Sequence, residues 1–214
     1  MKSLRWLFAS FGLLALAVSA HAQQAPAYQI DTDSSRVYIR VNRTNRLGHN
    51  HGVEGKLSGG AMVLGGTGNL VFDMTTFTAD TAQARRYVGL DGTFSDADKV
   101  NANMRGSEVL DVNRYPQASF NMTGIAPVDN QAAGAGGRYV IEGQFTLHGT
   151  TRTVHFTTEL KGTDTPGVGR LTGSFKILQS NYGIKPFSAA GGIIGIEDEL
   201  IIYGDLILRP KNGN

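Results

Sequence analysis

No cysteine occurs among the 214 residues, which excludes disulfides, thiolate metal sites and a Cys nucleophile together. A long apolar run is also missing. The one candidate, residues 7–18, is shorter than the roughly 20 residues a membrane-spanning helix needs. It follows Lys2 and Arg5 and precedes Ala20-His21-Ala22, the order of a cleaved secretory leader. Cleavage is expected after Ala22, giving a leader at 1–22 and one mature domain at 23–214. No Cys stands at the end of the leader, so no lipid-modified or other stable membrane anchor is expected. An excess of charge of either sign is absent as well: without Lys2 and Arg5 the 20 basic residues fall to 18, against 18 acidic. Nucleic acid is therefore excluded as an expected partner.

Proline is scarce at 6, whereas glycine reaches 28 and punctuates short segments of alternating polarity, the pattern of a sandwich or barrel. Val37, Ile39 and Val41 alternate with Arg36, Tyr38 and Arg40, giving a strand with one apolar face. Tyr139, Ile141, Gly143, Phe145 and Leu147 form such a face, and Val154, Phe156, Thr158 and Leu160 another. The link between them, His148-Gly149-Thr150-Thr151, has the composition of a hairpin turn. Further inward faces are Leu171, Gly173, Phe175 and Ile177; Ala118, Phe120 and Met122; and Leu70, Phe72 and Met74. Residues 199–208 are apolar on both faces, so cover on both sides is expected. Residues 52–64 place Val53, Leu57, Ala61 and Val63 on one face, and the interior Gly55, Gly59 and Gly60 mark a bulge or tight bend.

Between residues 78 and 111 the alternation stops. Ser95-Asp96-Ala97-Asp98 reads as a capping box ahead of Val100, Met104, Val109 and Leu110, which predicts a helix over 96–109. A weaker helical stretch is expected over 83–88, and a loop over 129–137. Seven to nine strands with short turns and one helical excursion imply a mainly all-β fold. The expected form is an antiparallel up-and-down β-barrel of about eight strands with an inserted helical segment. A barrel of that size is either filled by its own side chains or hollow enough for one ligand.

Local chemistry is sparse. His49 and His51 lie two apart, so on extended backbone they share a face with Val53 and Leu57. That pair suits a metal ion or haem iron, a ligand head group at the barrel mouth, or an ordinary turn; metal sites usually add a third or fourth ligand, here from His148, His155 or a carboxylate. His148 and His155 otherwise read as exposed residues of the hairpin. Ser34-Ser35, Ser107-Glu108 and Asp111 supply triad residue types without the G-x-S-x-G elbow. Asp96/Asp98 and Glu197/Asp198/Glu199 read as a helix cap and a solvated turn. Gly65-Gly66-Thr67-Gly68 falls between strands, not between strand and helix as dinucleotide binding requires. No enzyme activity and no cofactor are expected. A closed-core interaction module using Arg85, Arg86 and Arg105 stays open as a third class.

These residues resemble the YceI-like periplasmic proteins, lipocalin-like barrels that bind polyisoprenoid chains. Tyr28-Gln29-Ile30-Asp31 with Ser34-Ser35-Arg36-Val37 is similar to the family's opening. The run from Met104-Arg105-Gly106-Ser107 through Glu108-Val109-Leu110-Asp111-Val112 to Arg114-Tyr115-Pro116 resembles its most recognisable stretch, continued by Phe120 and Thr123. Residues 143–152 resemble its G-x-L-T-x-H-G-x-T hairpin, and Asn181-Tyr182-Gly183-Ile184 its D-Y-G-I element. Two departures stand out. Asn103 occupies a place where many members carry His, and Leu47-Gly48-His49-Asn50-His51 replaces a segment leading to a single His. The resemblance implies periplasmic location and an isoprenoid-type lipid, a quinone or polyprenyl chain, inside the barrel. The lining it implies is Val37, Ile39, Val41, Val53, Leu57, Phe72, Phe120, Met122, Phe145, Leu147, Phe156, Phe175 and Ile177, with His49 and His51 at the mouth. The expected partner is thus an apolar small molecule; a homodimer is left open.

Overall fold

The computed structural model describes residues 26–94, 96–128 and 136–211. The expected leader, Ser95 of the capping box and most of the 129–137 loop lie outside these. Among the described residues ten strands are present: β1 (Ala27–Ile30), β2 (Arg36–Arg43), β3 (His51–Val63), β4 (Gly68–Ala79), β5 (Gln117–Pro127), β6 (Gly137–Leu147), β7 (Thr150–Gly162), β8 (Gly169–Leu178), β9 (Ser188–Ala189) and β10 (Ile194–Pro210). From β2 to β8 each strand pairs antiparallel with the next, and β10 pairs with both β8 and β2. The eight strands thus close an up-and-down barrel in which no long edge is left unpaired. β1 continues the wall between β3 and β10 at one end, ahead of β2, and β9 pairs with β10 at the other. Among the described residues, no helix is long and apolar enough to cross a membrane.

Side-chain parity explains which residues face inward. Val37, Val41, Ile141, Phe145, Leu160, Leu171 and Ile177 are buried, while Glu142, His155 and Lys176 on the opposite faces are exposed. In β3 the parity changes. The pairing with β4 slips between Leu57 and Gly59, where Ser58 is the extra residue of a bulge, so Gly60, Met62 and Leu64 turn inward. Ala61 and Val63 are half-buried on the outer face, which corrects the reading that grouped them with Val53 and Leu57. One inserted residue flips every side chain after it.

The connection from β4 to β5 carries α1 (Ala82–Tyr87) and α2 (Ala97–Arg105). The Thr81 hydroxyl caps α1 by accepting from the Ala84 N–H at 3.0 Å. α1 covers the outer side of the barrel, where Tyr38, Ala84 and Val88 form a second apolar cluster with Tyr87, Leu90 and Tyr203; the Tyr38 and Tyr87 rings stack at 3.9 Å. This is the outer cover expected for the two-sided strand β10, and it is partial: Tyr203 is under the helix, and Ile201 and Ile207 are half-buried. α2 is shorter than the 96–109 expected. Gly106 ends it, donating its N–H to the Ala102 and Asn103 carbonyls, and Asp96 occupies the N-cap position without a side-chain capping bond. The β6–β7 turn is the pair His148-Gly149, both at positive φ, as a tight type I′ hairpin requires. His148 is therefore a half-buried turn residue against the Tyr115 ring, 4.3 Å between centroids, not an exposed strand residue.

The two barrel ends differ. At the end where β1 lies, the buried Tyr28, Leu64, Ile125, Tyr139, Leu160 and Leu208 fill the interior. At the other end stand the β2–β3 loop, the helical connection, the β6–β7 turn and the segment from β8 to β10. The interior there is hollow.

Candidate functional site

The hollow is a cavity of about 360 Å³, within the range of small-molecule sites. Its walls differ in chemistry. β2, β3 and β10 supply aliphatic side chains, among them Val37, Ile39, Val41, Val53, Leu200 and Ile202. The opposite wall is aromatic: Phe72, Phe120, Phe145, Phe156 and Phe175 meet ring to ring, with centroids from 4.8 Å (Phe156 and Phe175) to 6.5 Å (Phe120 and Phe145). Met122, Leu147 and Ile177 complete the set that sequence parity placed there. Leu57 is the exception. Positioned at the bulge, it is buried in the core but takes no part in the cavity wall.

A single helical insertion in an all-β chain is expected to cover a barrel end or side, and here it roofs the cavity with residues that the sequence did not single out as lining. Val100, Asn103 and Met104 of α2, then Val109 and Leu110, line it. Three bonds hold α2 in place: Asn101 Oδ1 accepts from the Ala79 N–H at 2.7 Å, and Arg105 donates to the Phe77 carbonyl at 2.8 Å and to the Thr78 hydroxyl at 2.9 Å. The apolar spacing of α2 was readable, but its docking onto the end of β4 depends on contacts 20 or more residues away. Leu70, Met74 and Phe77 of β4 also line the wall, as do Phe187 and Ile194.

The mouth is polar. His49, His51, Phe94, Asp96 and Lys99 stand around it, and both imidazoles meet the Phe94 ring edge-on at about 5 Å. His51 Nδ1 lies 2.6 Å from Asp80 Oδ2, and Arg85 donates to Asp80 Oδ1 at 2.8 Å. Asp80 is fully buried and His51 keeps 13% of its side chain exposed. Burial works to raise the Asp80 carboxyl, but the hydrogen bonds from His51 and Arg85 outweigh it and hold the group below its ordinary value. An ionised carboxylate only accepts, so Nδ1 carries the proton toward Asp80. Nε2 of His51 then accepts from a hydroxyl when the ring is neutral and donates to a carbonyl or phosphate oxygen when it is protonated.

Other candidate residues have structural work. Arg85 is buried and also donates to the carbonyls of Asn50, Asp91 and Gly92, and Arg105 of α2 is half-buried against the end of β4. Only Arg86 of that trio is exposed, so the three do not form the interaction surface considered from sequence. The Ser35 hydroxyl is buried and accepts from the Ile207 N–H at 2.9 Å. Among the described residues no three His, Asp or Glu side chains converge to hold a metal ion. His148 and His155 come from the hairpin of β6 and β7 and do not join His49 and His51.

A family model described as the YceI-like domain matches residues 28–206. The chain belongs to the YceI-like family. No curated protein matches this YceI-like chain in sequence, but solved structures share its fold. BcnA of Burkholderia cenocepacia is 19% identical, with a TM-score of 0.56 over 83% of this chain and 98% of that one. A polyisoprenoid-binding domain of Saccharophagus degradans, described as implicated in plant cell wall breakdown, is 14% identical. Its TM-score is 0.61, over 87% of this chain and 99% of that one. At these identities the likeness of the YceI-like protein to both is one of fold.

Proposed function

We propose that this YceI-like protein is a carrier that sequesters a long apolar lipid of isoprenoid type, a quinone or polyprenyl chain, in the hollow half of its barrel. The observation that carries this is the cavity itself. It is closed at one end by packed side chains, walled by aliphatic and aromatic groups, and open at a mouth where the polar groups are collected. An apolar chain entering it is stabilised by about 25 cal/mol per Å² of surface removed from water. An apolar space of this kind is poorly hydrated and holds an apolar guest in preference to water. Family membership and the polyisoprenoid-binding domain from Saccharophagus degradans support the ligand class.

At the mouth, His51 positioned by Asp80 is the group for a polar head: a quinone carbonyl for the protonated ring, a quinol or alcohol hydroxyl for the neutral one. The leader pattern of residues 1–22 supports export to the periplasm. A metal or haem centre at His49 and His51 has less support. Asp80 occupies one nitrogen of His51, and a pair of imidazoles falls short of the three or four protein ligands such sites use.

The test is organic extraction and native mass spectrometry of the protein purified from its own host. Recovery of one apolar compound at near-equal stoichiometry is expected. Repeated recovery of empty protein contradicts the proposal.

A further inference from the structure

Around the open end, two loops carry large apolar side chains into solvent. Leu47 in the β2–β3 loop is 68% exposed, and Ile193 and Ile194 before β10 are 55% and 41% exposed. These residues are about 150 positions apart in sequence, yet one side chain joins them. Asn45 Nδ2 donates to the Ile193 carbonyl at 2.6 Å, and Asn45 Oδ1 accepts from the Leu47 N–H at 3.0 Å. Beside this bridge the Thr44 N–H donates to the Gly195 carbonyl at 3.0 Å. Ala190, Gly191 and Gly192 all stand at positive φ, and a Cβ added at Gly191 or Gly192 would meet nothing within 4 Å. The tip therefore projects, and its exposure is built in by hydrogen bonds.

The ridge is continuous with the cavity: Gly48, His49, Ile194 and Gly195 belong to its lining. The two tips themselves carry cations and no acid. Residues 42–50 contain Arg43 and Arg46, and residues 183–196 contain Lys185, with no acid in either segment; all three cations are exposed. Asp91, Asp96 and Asp98 stand on the helical side of the mouth, and on the loop side Glu197, Asp198 and Glu199 follow the tip, where Asp198 accepts from Ser180 and Glu199 pairs with Lys176, so a negatively charged surface is favoured at the loop tips alone. Apolar tips flanked by cations at one end of a molecule match the interface of an anionic bilayer.

We infer that this ridge docks the open end of the barrel on the surface of an anionic membrane, so that an apolar ligand passes between bilayer and cavity without crossing water. The inference rests on the carrier reading, and its test is separate from it. Co-sedimentation with vesicles of phosphatidylethanolamine and phosphatidylglycerol (3:1) is measured against pure phosphatidylcholine. The comparison is between wild type and Leu47→Asp/Ile193→Asp, exposed positions whose change leaves the core untouched. Wild type is expected to bind the anionic vesicles more strongly, and the double variant to bind at least about tenfold less, with its extractable lipid unchanged.

Absence of binding by wild type, or equal binding by the variant, overturns the docking surface. Lipid still recovered from the protein in those cases leaves the carrier reading standing. A wild-type dimer that the double variant converts to monomer in size-exclusion chromatography also overturns it, because the ridge would then be covered by a second copy.

Discussion

Asp80 is the residue on which the mouth depends. It accepts from His51, Arg85 and the Gly52 N–H, and its backbone is held at positive φ. Replacing it with Ala leaves Arg85 buried without its counter-charge, so a loss of about 3–5 kcal/mol is expected in urea unfolding. The pH dependence has a definite sign. Because the folded state holds the carboxyl below its unfolded value of about 3.9, the stabilisation is complete above that value. It fades as pH falls through the lower folded value. Asp31, lowered chiefly by its hydrogen bond from Arg209, adds to the same acid loss to a smaller degree because that pair is partly exposed. Asp80→Asn should flatten the acid limb of the stability profile; an unchanged limb would show that Asp80 is not its source. At His51, substitution by Phe keeps a ring and removes the nitrogen. Displacement of a fluorescent lipid should show affinity lower by about fivefold, the value of one hydrogen bond. The His pair was legible from sequence as a mouth feature. Asp80 was not, because it lies 29 residues from His51 and only the fold brings them together.

The strands of this barrel were legible because period-two alternation survives wherever pairing is regular. It misled at Ser58, where a bulge, signalled only by neighbouring glycines, reversed the parity of Ala61 and Val63 and left Leu57 off the cavity wall. Gly143 shows how closely strands and rings approach. A Cβ there would overlap the Asn121 carbonyl oxygen and crowd Phe120, and backbone cannot step aside as a side chain can. Gly143→Ala should cost about 1–3 kcal/mol, read as a lowered urea midpoint. The helical cover is held differently, by polar bonds to strand ends. Arg105→Ala removes the donors to Phe77 and Thr78, and hydrogen exchange should quicken over residues 97–105 while the barrel strands keep their protection. Uniform loss of protection would mean that α2 belongs to the core folding unit. The helix was visible from its spacing, and its place over an end or side of the barrel followed from its being inserted into an all-β chain; which of its side chains line the cavity was not legible, since that depends on how it docks on β4.

At the scale of the molecule, one half of the barrel is packed and the other hollow, and that asymmetry makes it a container. A ligand that binds only the folded state stabilises it by mass action, about 2.7 kcal/mol at one hundred times its dissociation constant, so delipidated protein should melt at a lower temperature than protein as purified. Gly204 offers a way to fill the space. It lies on the cavity wall, and a Cβ added there meets only Leu206 Cγ, at 3.9 Å, so Gly204→Phe projects a ring into the hollow without striking backbone. The decisive measurement is native mass spectrometry with solvent extraction on wild type and Gly204→Phe prepared side by side from the same host. Wild type should release one apolar isoprenoid-type compound at near-equal stoichiometry, and the folded variant a small fraction of that amount. An empty wild type, or equal amounts from both proteins, would contradict the carrier.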